Sequence, residues 1–236
     1  MPHSVEPSDT SSANLIKAWI FVGAAALAAT AGYINTVMLG FFAVPVSHMS
    51  GAVAHLGVDL AVPDGADLMT ISSIVGGFLF GAFVSGVLIG NATLRPGRRY
   101  GVALILEGVV LLVATFLAIK GNIVAVPLAA FACGLQNAMA SSYRGLVLRT
   151  THVTGVVTDI GTLLGNRLRG RHIQSWKLLL LATLLLAFFI GGVMGALAVT
   201  RVGMMALAPA GMGCLLAGFG YTLYLYLTHP GRSSGC

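Results

Sequence analysis

Residues 47–53 read SHMSGAV, and residues 151–157 repeat the pattern as THVTGVV. The histidines and the glycines of the two copies have the same separation, since 152 − 48 and 155 − 51 both give 104. Upstream, GYIN at residues 32–35 resembles GLQN at residues 134–137, at an offset of 102. These matches at nearly constant separation predict an internal duplication.

The composition excludes a soluble protein. Of the 236 residues, 57% are hydrophobic and 8% are charged, whereas a soluble domain carries about 25% charged residues. We therefore predict an integral membrane protein whose main partner is the lipid bilayer. The net charge of +6 comes from basic residues between apolar segments, so nucleic acid is not an expected partner.

The three cysteines form no CxxC-type spacing, so we predict neither a disulfide framework nor a metal site, and no cofactor.

Six segments have the roughly 20 largely apolar residues that a spanning helix needs. They are residues 15–39, 68–90, 100–119, 123–142, 178–199 and 204–227. The predicted fold is therefore an all-α membrane protein with six transmembrane helices.

The duplication divides these helices into a 3+3 repeat within one membrane domain, residues 15–228, with halves at about 15–120 and 121–228. A disordered cytoplasmic N-terminus (1–14) and a cytoplasmic tail (229–236) flank this domain in the prediction. The second spans of the halves match weakly through Gly86 and Gly192, at an offset of 106, and the third spans show no clear match.

The distribution of basic residues predicts the orientation. With the N-terminus inside, the cytoplasmic segments hold eleven of the 13 Lys and Arg residues and the outer segments hold two, which is a strong positive-inside bias. Both termini are then cytoplasmic. Because each half has three spans, the second half enters the membrane from the opposite side, as in the inverted repeats of secondary transporters.

The duplicated motif is expected to begin a short helix in each half, re-entrant or lying at the interface. After Thr154 the apolar residues recur at helical spacing. Ser50 and Thr154 are favourable N-cap residues, and the glycine after each, Gly51 and Gly155, permits close approach of backbone or ligand.

A helix start presents free N–H groups and a partial positive charge that suit an anionic group. The duplicated polar residues could therefore bind a substrate between the halves, or they could simply cap the short helices. The candidate substrate-binding residues are Asn35, His48, Ser50, Gly51, Gln136, Asn137, His152, Thr154 and Gly155.

Acidic residues supply two candidates for ion coupling. Glu107 lies within a predicted span, where a carboxyl group is costly and marks a protonatable or cation-binding site; alternatively it hydrogen-bonds a neighbouring helix. Asp159 lies in the second short helix, as a coupling carboxylate or as a partner for Arg167 and Arg169. His55 and Asp59 share a helix face, as a gate pair or a solvated surface.

The motif GLQNA at 134–138, followed by TTHVTG at 150–155, resembles the YoaK-like family of bacterial inner-membrane proteins, which is defined by a domain of unknown function. The resemblance covers roughly residues 15–228 and implies a bacterial inner-membrane location. That family usually has Asp at the position of Asn35 and Thr-Gly-Asn in place of Ser50-Gly51-Ala52.

The leading functional prediction is a small secondary transporter or permease for a small polar or anionic solute. A non-transporting accessory or scaffold protein is the alternative, and an intramembrane enzyme a weaker one. The sequence has no HExxH and no nucleotide-binding loop, and no catalytic residue is assigned. A homo-oligomer is compatible with the sequence.

Overall fold

The computed structural model describes the backbone at residues 8–61, 65–89, 98–139, 142–143, 146–147 and 150–228. The α-helices are α1 (Ser8–Phe42), α2 (Met49–Ala61), α3 (Gly65–Ile89), α4 (Arg98–Ile119), α5 (Ala125–Met139), α6 (Val153–Leu168), α7 (Ser175–Val202) and α8 (Ala208–Thr228). A 3₁₀ helix, Gly203–Leu207, joins α7 to α8, and the strands β1 (Ser142–Tyr143) and β2 (Leu146–Val147) pair antiparallel.

Each of the six apolar segments contains a helix, and both predicted short helices are present as α2 and α6. Four segments are long and apolar enough to cross a membrane: Phe21–Phe42, Leu68–Ile89, Arg99–Ile119 and Ser175–Thr228. The last segment spans 54 residues and includes both α7 and α8. These apolar helices are those of a membrane-embedded protein.

Two helix boundaries differ from the prediction. α1 begins at Ser8, so residues 8–14, assigned to a disordered N-terminus, extend this helix; no Gly or Pro lies between Ser8 and Gly23. α5 ends at Met139 rather than at 142, because the chain then enters the β1–β2 hairpin. Residues 1–7 and 229–236 lie outside the described part.

α5 is the innermost of the described helices. It has 15 residues, of which ten are buried, and it contacts α1, α3 and α4. At about 1.5 Å per residue it is about 22 Å long, shorter than the roughly 30 Å hydrocarbon core of a bilayer. Its surroundings are therefore mostly protein rather than lipid.

The principal helix pairs have defined directions. Ala24 and Ala28 of α1 pack on the beginning of α7, and Gly40 near the end of α1 packs on Val199 near the end of α7, so this pair is parallel. α3 and α5 are parallel as well, since Gly77 lies against Pro127 and the ends of both helices share one cluster.

Glycines bring α1 and α7 into backbone contact. A Cβ atom on Gly32 would collide with the carbonyl oxygen of Phe188, and one on Gly191 would collide with the carbonyl oxygen of Ala29. The absence of side chains at these two positions therefore sets the closeness of the helices.

The same reciprocal contact occurs between α3 and α5. Gly134 lies against the carbonyl oxygen of Phe78, and Gly81 against that of Phe131. The two contacts use residues at constant separations. Those on α5 lie 102 positions after those on α1, since 134 − 32 and 131 − 29 both give 102. Those on α7 lie 110 positions after those on α3, since 188 − 78 and 191 − 81 both give 110. The contacts thus match α3 with α7 at an offset of 110, and the offset of 106 read from the sequence is wrong.

α4 and α8 form an antiparallel pair with a further recurrence. Gly101 lies against Gly218, and Gly108 lies against Gly211. Since 211 − 101 and 218 − 108 both give 110, these four glycines occupy corresponding positions in the third and sixth predicted spans. The sequence alone showed no clear match between these two spans.

Candidate functional site

An asparagine side chain fixes the turn before each short helix. Asn35 Oδ1 accepts hydrogen bonds from the backbone N–H of Ser47, at 3.1 Å, and from its hydroxyl group, at 2.9 Å. In the second half, Asn137 Oδ1 accepts from the backbone N–H of Thr151, at 3.3 Å. Both asparagines, predicted to bind substrate, thus hold the turn that presents the following histidine.

The first turn is set back from the end of its helix. Asn35 lies seven residues before Phe42, the last residue of α1, which corresponds to about 10 Å along a helix. Because Asn35 binds Ser47, the chain turns back after the end of α1 and runs about 10 Å alongside it before α2 begins. The turn therefore lies inside the helix bundle rather than at the end of α1.

The N-cap residues are the histidines rather than the hydroxyl residues. α2 begins at Met49 and α6 at Val153. The backbone oxygens of His48 and His152 accept the first helical hydrogen bonds, at 3.0 and 3.1 Å. The prediction that Ser50 and Thr154 are N-caps is therefore wrong: the asparagine-bound turn starts each helix two residues earlier.

Most of the motif side chains are exposed in this conformation, and those of the second half form one local contact. The exposed candidate binding residues of the two motifs are His48, Ser50, Gly51, His152 and Thr154. The imidazole ring of His152 lies over Gly155, where any Cβ atom would collide with it, whereas Gly51 has open space.

The two motifs are not brought together. α2 packs on α3 and α6 packs on α7, and the described residues make no α2–α6 contact. Gln136, next to the second turn, bonds to Leu27, which is eight residues before Asn35 on α1. Eight residues correspond to about 12 Å, so the two turns lie at different levels of the bundle.

Gln136 joins α5 to α1 from a fully buried position. Its Nε2 atom donates to the carbonyl oxygen of Leu27 at 2.9 Å, while its Oε1 atom is buried without a hydrogen-bond partner among the described residues. At the offset of 102, the corresponding residue of the first half is Ile34. This polar group therefore exists in one half only.

Glu107 is the acidic residue most deeply buried in the described structure. Its side chain has no solvent exposure, and neither carboxyl oxygen has a hydrogen-bond partner of acceptable geometry within the described residues. The thiols of Cys133 on α5 and Cys214 on α8 are its polar neighbours. A carboxyl group from α4 is thus enclosed where three helices meet.

The remaining acidic candidates lie at the surface or partly at it. Asp159 is exposed and forms no ion pair with Arg167, Arg169 or any other described residue. Asp59 is half-buried, and its Oδ2 atom has no hydrogen-bond partner within the described part of the chain.

Two further buried hydroxyl groups are not among the predicted site residues. The hydroxyl groups of Ser85 on α3 and of Thr150 before α6 have no hydrogen-bond partner among the described residues. A single hydroxyl residue gives little signal of this in a sequence. Among the described residues, no group of three or more His, Cys, Asp or Glu side chains is arranged to hold a metal ion.

Comparison with protein families gives one match. Residues 23–220 match the family described as "Protein of unknown function (DUF1275)". No curated protein and no solved structure matches the chain.

Proposed function

We propose that this chain, which belongs to the DUF1275 family of proteins of unknown function, is a small ion-coupled secondary transporter for a polar or anionic solute. The observation that carries the proposal is Glu107, a fully buried carboxyl group that makes no hydrogen bond of acceptable geometry in the described structure and has the thiols of Cys133 and Cys214 as polar neighbours. Such groups inside membrane proteins are costly and characteristic of ion and proton pathways.

Glu107 has the role of the coupling carboxylate in this proposal. Burial with no cation beside it among the described residues favours the uncharged acid. Release of its proton then requires the helices around it to separate and admit water. Protonation is thereby linked to a change between a closed and an open arrangement of α4, α5 and α8, which is the linkage that a coupled transporter needs.

The proposed architecture is a 3+3 inverted repeat of six membrane crossings. It is supported by the reciprocal glycine contacts at offsets of 102 and 110, and by the helix directions. Six alternating crossings put the first and fifth spans (α1, α7) in one direction and the second and fourth (α3, α5) in the other. Alternating access would rock one half against the other.

The duplicated turns are the proposed solute contacts. Each presents a histidine N-cap and a hydroxyl residue at a helix start, which suits an anionic or polar group. Since they lie at different levels, we propose that each is exposed in a different access state, and that the second half, with Gln136 and Thr154, contributes more. The proposal includes cytoplasmic termini in a bacterial cell, which the positive-inside bias supports.

Carbodiimide labelling tests the coupling role without knowledge of the solute. Dicyclohexylcarbodiimide reacts with protonated carboxyl groups in apolar surroundings. In liposomes, the full chain should acquire one adduct at Glu107 by mass spectrometry, Glu107→Gln should acquire none, and Ser85→Ala, which alters another buried group, should be labelled like the wild type. Absence of the Glu107 adduct in folded protein would remove the basis for the proposal.

A further inference from the structure

A basic cleft lies where α6 ends and α7 begins. Its volume is about 280 Å³. The lining residues are Leu163, Asn166, Arg171, His172, Ile173, Gln174 and Lys177. The cleft is far in sequence from Glu107 and contains none of the residues proposed to couple or bind the transported solute.

The cleft carries positive charge without a compensating acid. Arg171 and Lys177 line it, and no Asp or Glu among the described residues does. Between residues 143 and 177 the sequence has six Lys and Arg residues and one acidic residue, Asp159, which forms no ion pair with the described residues. An anion would therefore enter the cleft without displacing a protein carboxylate.

The Arg171 guanidinium group is held in place while it keeps free donors. Its Nη1 atom donates to Asn166 Oδ1 at 3.1 Å, and the chain bends at Gly170, where φ is +70°, to bring the two residues together. A guanidinium group has five N–H donors in a planar fork, so this bond leaves donors for a phosphate group, the anion that such forks bind well.

The cleft is positioned where lipid headgroups lie. α7 begins the apolar segment Ser175–Thr228, so its first residues mark the end of a spanning segment. Trp176 is of the residue type enriched at membrane interfaces, and Lys177 lies 5.7 Å from its ring centroid. Leu168, next to the cleft in sequence, is 90% exposed, an apolar surface suited to acyl chains.

We propose that this cleft binds the phosphate group of an anionic phospholipid, with Arg171 and Lys177 as the phosphate-binding residues. The dipole at the start of α7 adds to their attraction. Basic pockets at the ends of spanning helices are suited to such headgroups. The lipid would fix α6 to the start of α7, independently of any transport by the chain.

Native mass spectrometry of the full-length protein tests this assignment. The probes are phosphatidylglycerol, phosphatidylcholine and inorganic phosphate. The wild type should bind phosphatidylglycerol more tightly than phosphatidylcholine. The double variant Arg171→Gln/Lys177→Gln should lose about 25-fold in affinity for phosphatidylglycerol, at about five-fold per surface cation, with phosphatidylcholine binding unchanged.

Two further variants separate the site from general effects of charge and folding. Lys120→Gln/Arg201→Gln removes two exposed cations elsewhere and should leave phosphatidylglycerol binding intact. Arg171→Lys/Lys177→Arg keeps both charges and should retain most of it. Unchanged binding in the glutamine double variant, or equal loss in the Lys120/Arg201 control, would overturn the proposal. If inorganic phosphate at equal concentration displaces phosphatidylglycerol, the cleft binds free phosphate, and the proposal that its ligand is a lipid is wrong.

Discussion

The first and second halves of the chain agree in packing and differ in polar groups. Reciprocal contacts between glycines and carbonyl oxygens join α1 to α7 and α3 to α5, and an asparagine holds the turn before each short helix. The buried polar groups break this correspondence. At the offset of 102, Gln136 corresponds to Ile34 in the first half. At the offset of 110, Glu107 corresponds to Ala217 in the second half.

This difference separates two kinds of constraint. Contacts repeated in both halves determine how the helices fit together, because backbone approach at a glycine depends on shape alone. A buried carboxyl or amide group costs free energy wherever it lacks a partner, so its presence in one half only is not explained by packing. We therefore place ion coupling at the unmatched groups, in addition to the solute contacts proposed at the duplicated turns.

The largest effects are expected at the glycine contacts. Gly32→Ala and Gly134→Ala should each destabilise the protein by about 3 kcal/mol, because the new Cβ atom would collide with backbone that cannot move away. Detergent-induced unfolding measures this. The matched control Gly76→Ala has open space and should be neutral or stabilising by up to about 1 kcal/mol. Tolerance of alanine at Gly134 alone would break the equivalence of the halves.

Removing the asparagine side chain should destabilise the protein more at the first turn than at the second. Asn35→Ala removes two hydrogen bonds at a buried site and should cost about 2 kcal/mol, whereas Asn137→Ala removes one longer bond and should cost about 1 kcal/mol. Unfolding experiments measure the costs, and hydrogen exchange should show faster opening at the amide of Ser47 or Thr151, respectively. Equal losses of stability in the two variants would contradict the difference that their hydrogen bonds predict between the turns.

Gln136→Leu should change stability by less than about 1 kcal/mol. It removes one hydrogen bond to Leu27, but it also removes the buried Oε1 atom that has no described partner, and these terms have opposite signs. A thermal melt measures the stability, and solute flux in liposomes measures the function. Lost flux at unchanged stability would assign the amide to transport; a large loss of stability would make it a packing residue.

The smallest effect concerns the two motif glycines. Gly155→Ala should move the His152 ring and alter its rate of modification by diethyl pyrocarbonate, because the two groups share the same space. Gly51→Ala should leave the reactivity of His48 unchanged, since Gly51 has open surroundings. An equal response of both histidines would contradict this difference between the halves.

The sequence predicts the helices well and the contacts between them poorly. Apolar segments of bilayer length identify α1, α3, α4, α7 and α8 because lipid imposes that length. α5 is shorter because protein surrounds it.

Matches between short motifs were less informative about position. The offset of 106 paired two glycines by identity, whereas the contacts pair Gly81 with Gly191. Ser50 and Thr154 have the higher N-cap preference, but the bonded turns place the helix starts at the histidines. Glu107 was identified from its charge alone; its enclosure by α5 and α8 depends on long-range packing.

Proton flux in liposomes tests the central claim most directly. Full-length protein is reconstituted with a pH-sensitive dye inside, and gradients of nitrate, inorganic phosphate and glycine are imposed in turn. We predict that at least one gradient changes the internal pH with wild-type protein and with Ser85→Ala, and that Glu107→Gln abolishes this change. Equal pH changes with Glu107→Gln, or none with any solute in the wild type, would contradict coupling through Glu107.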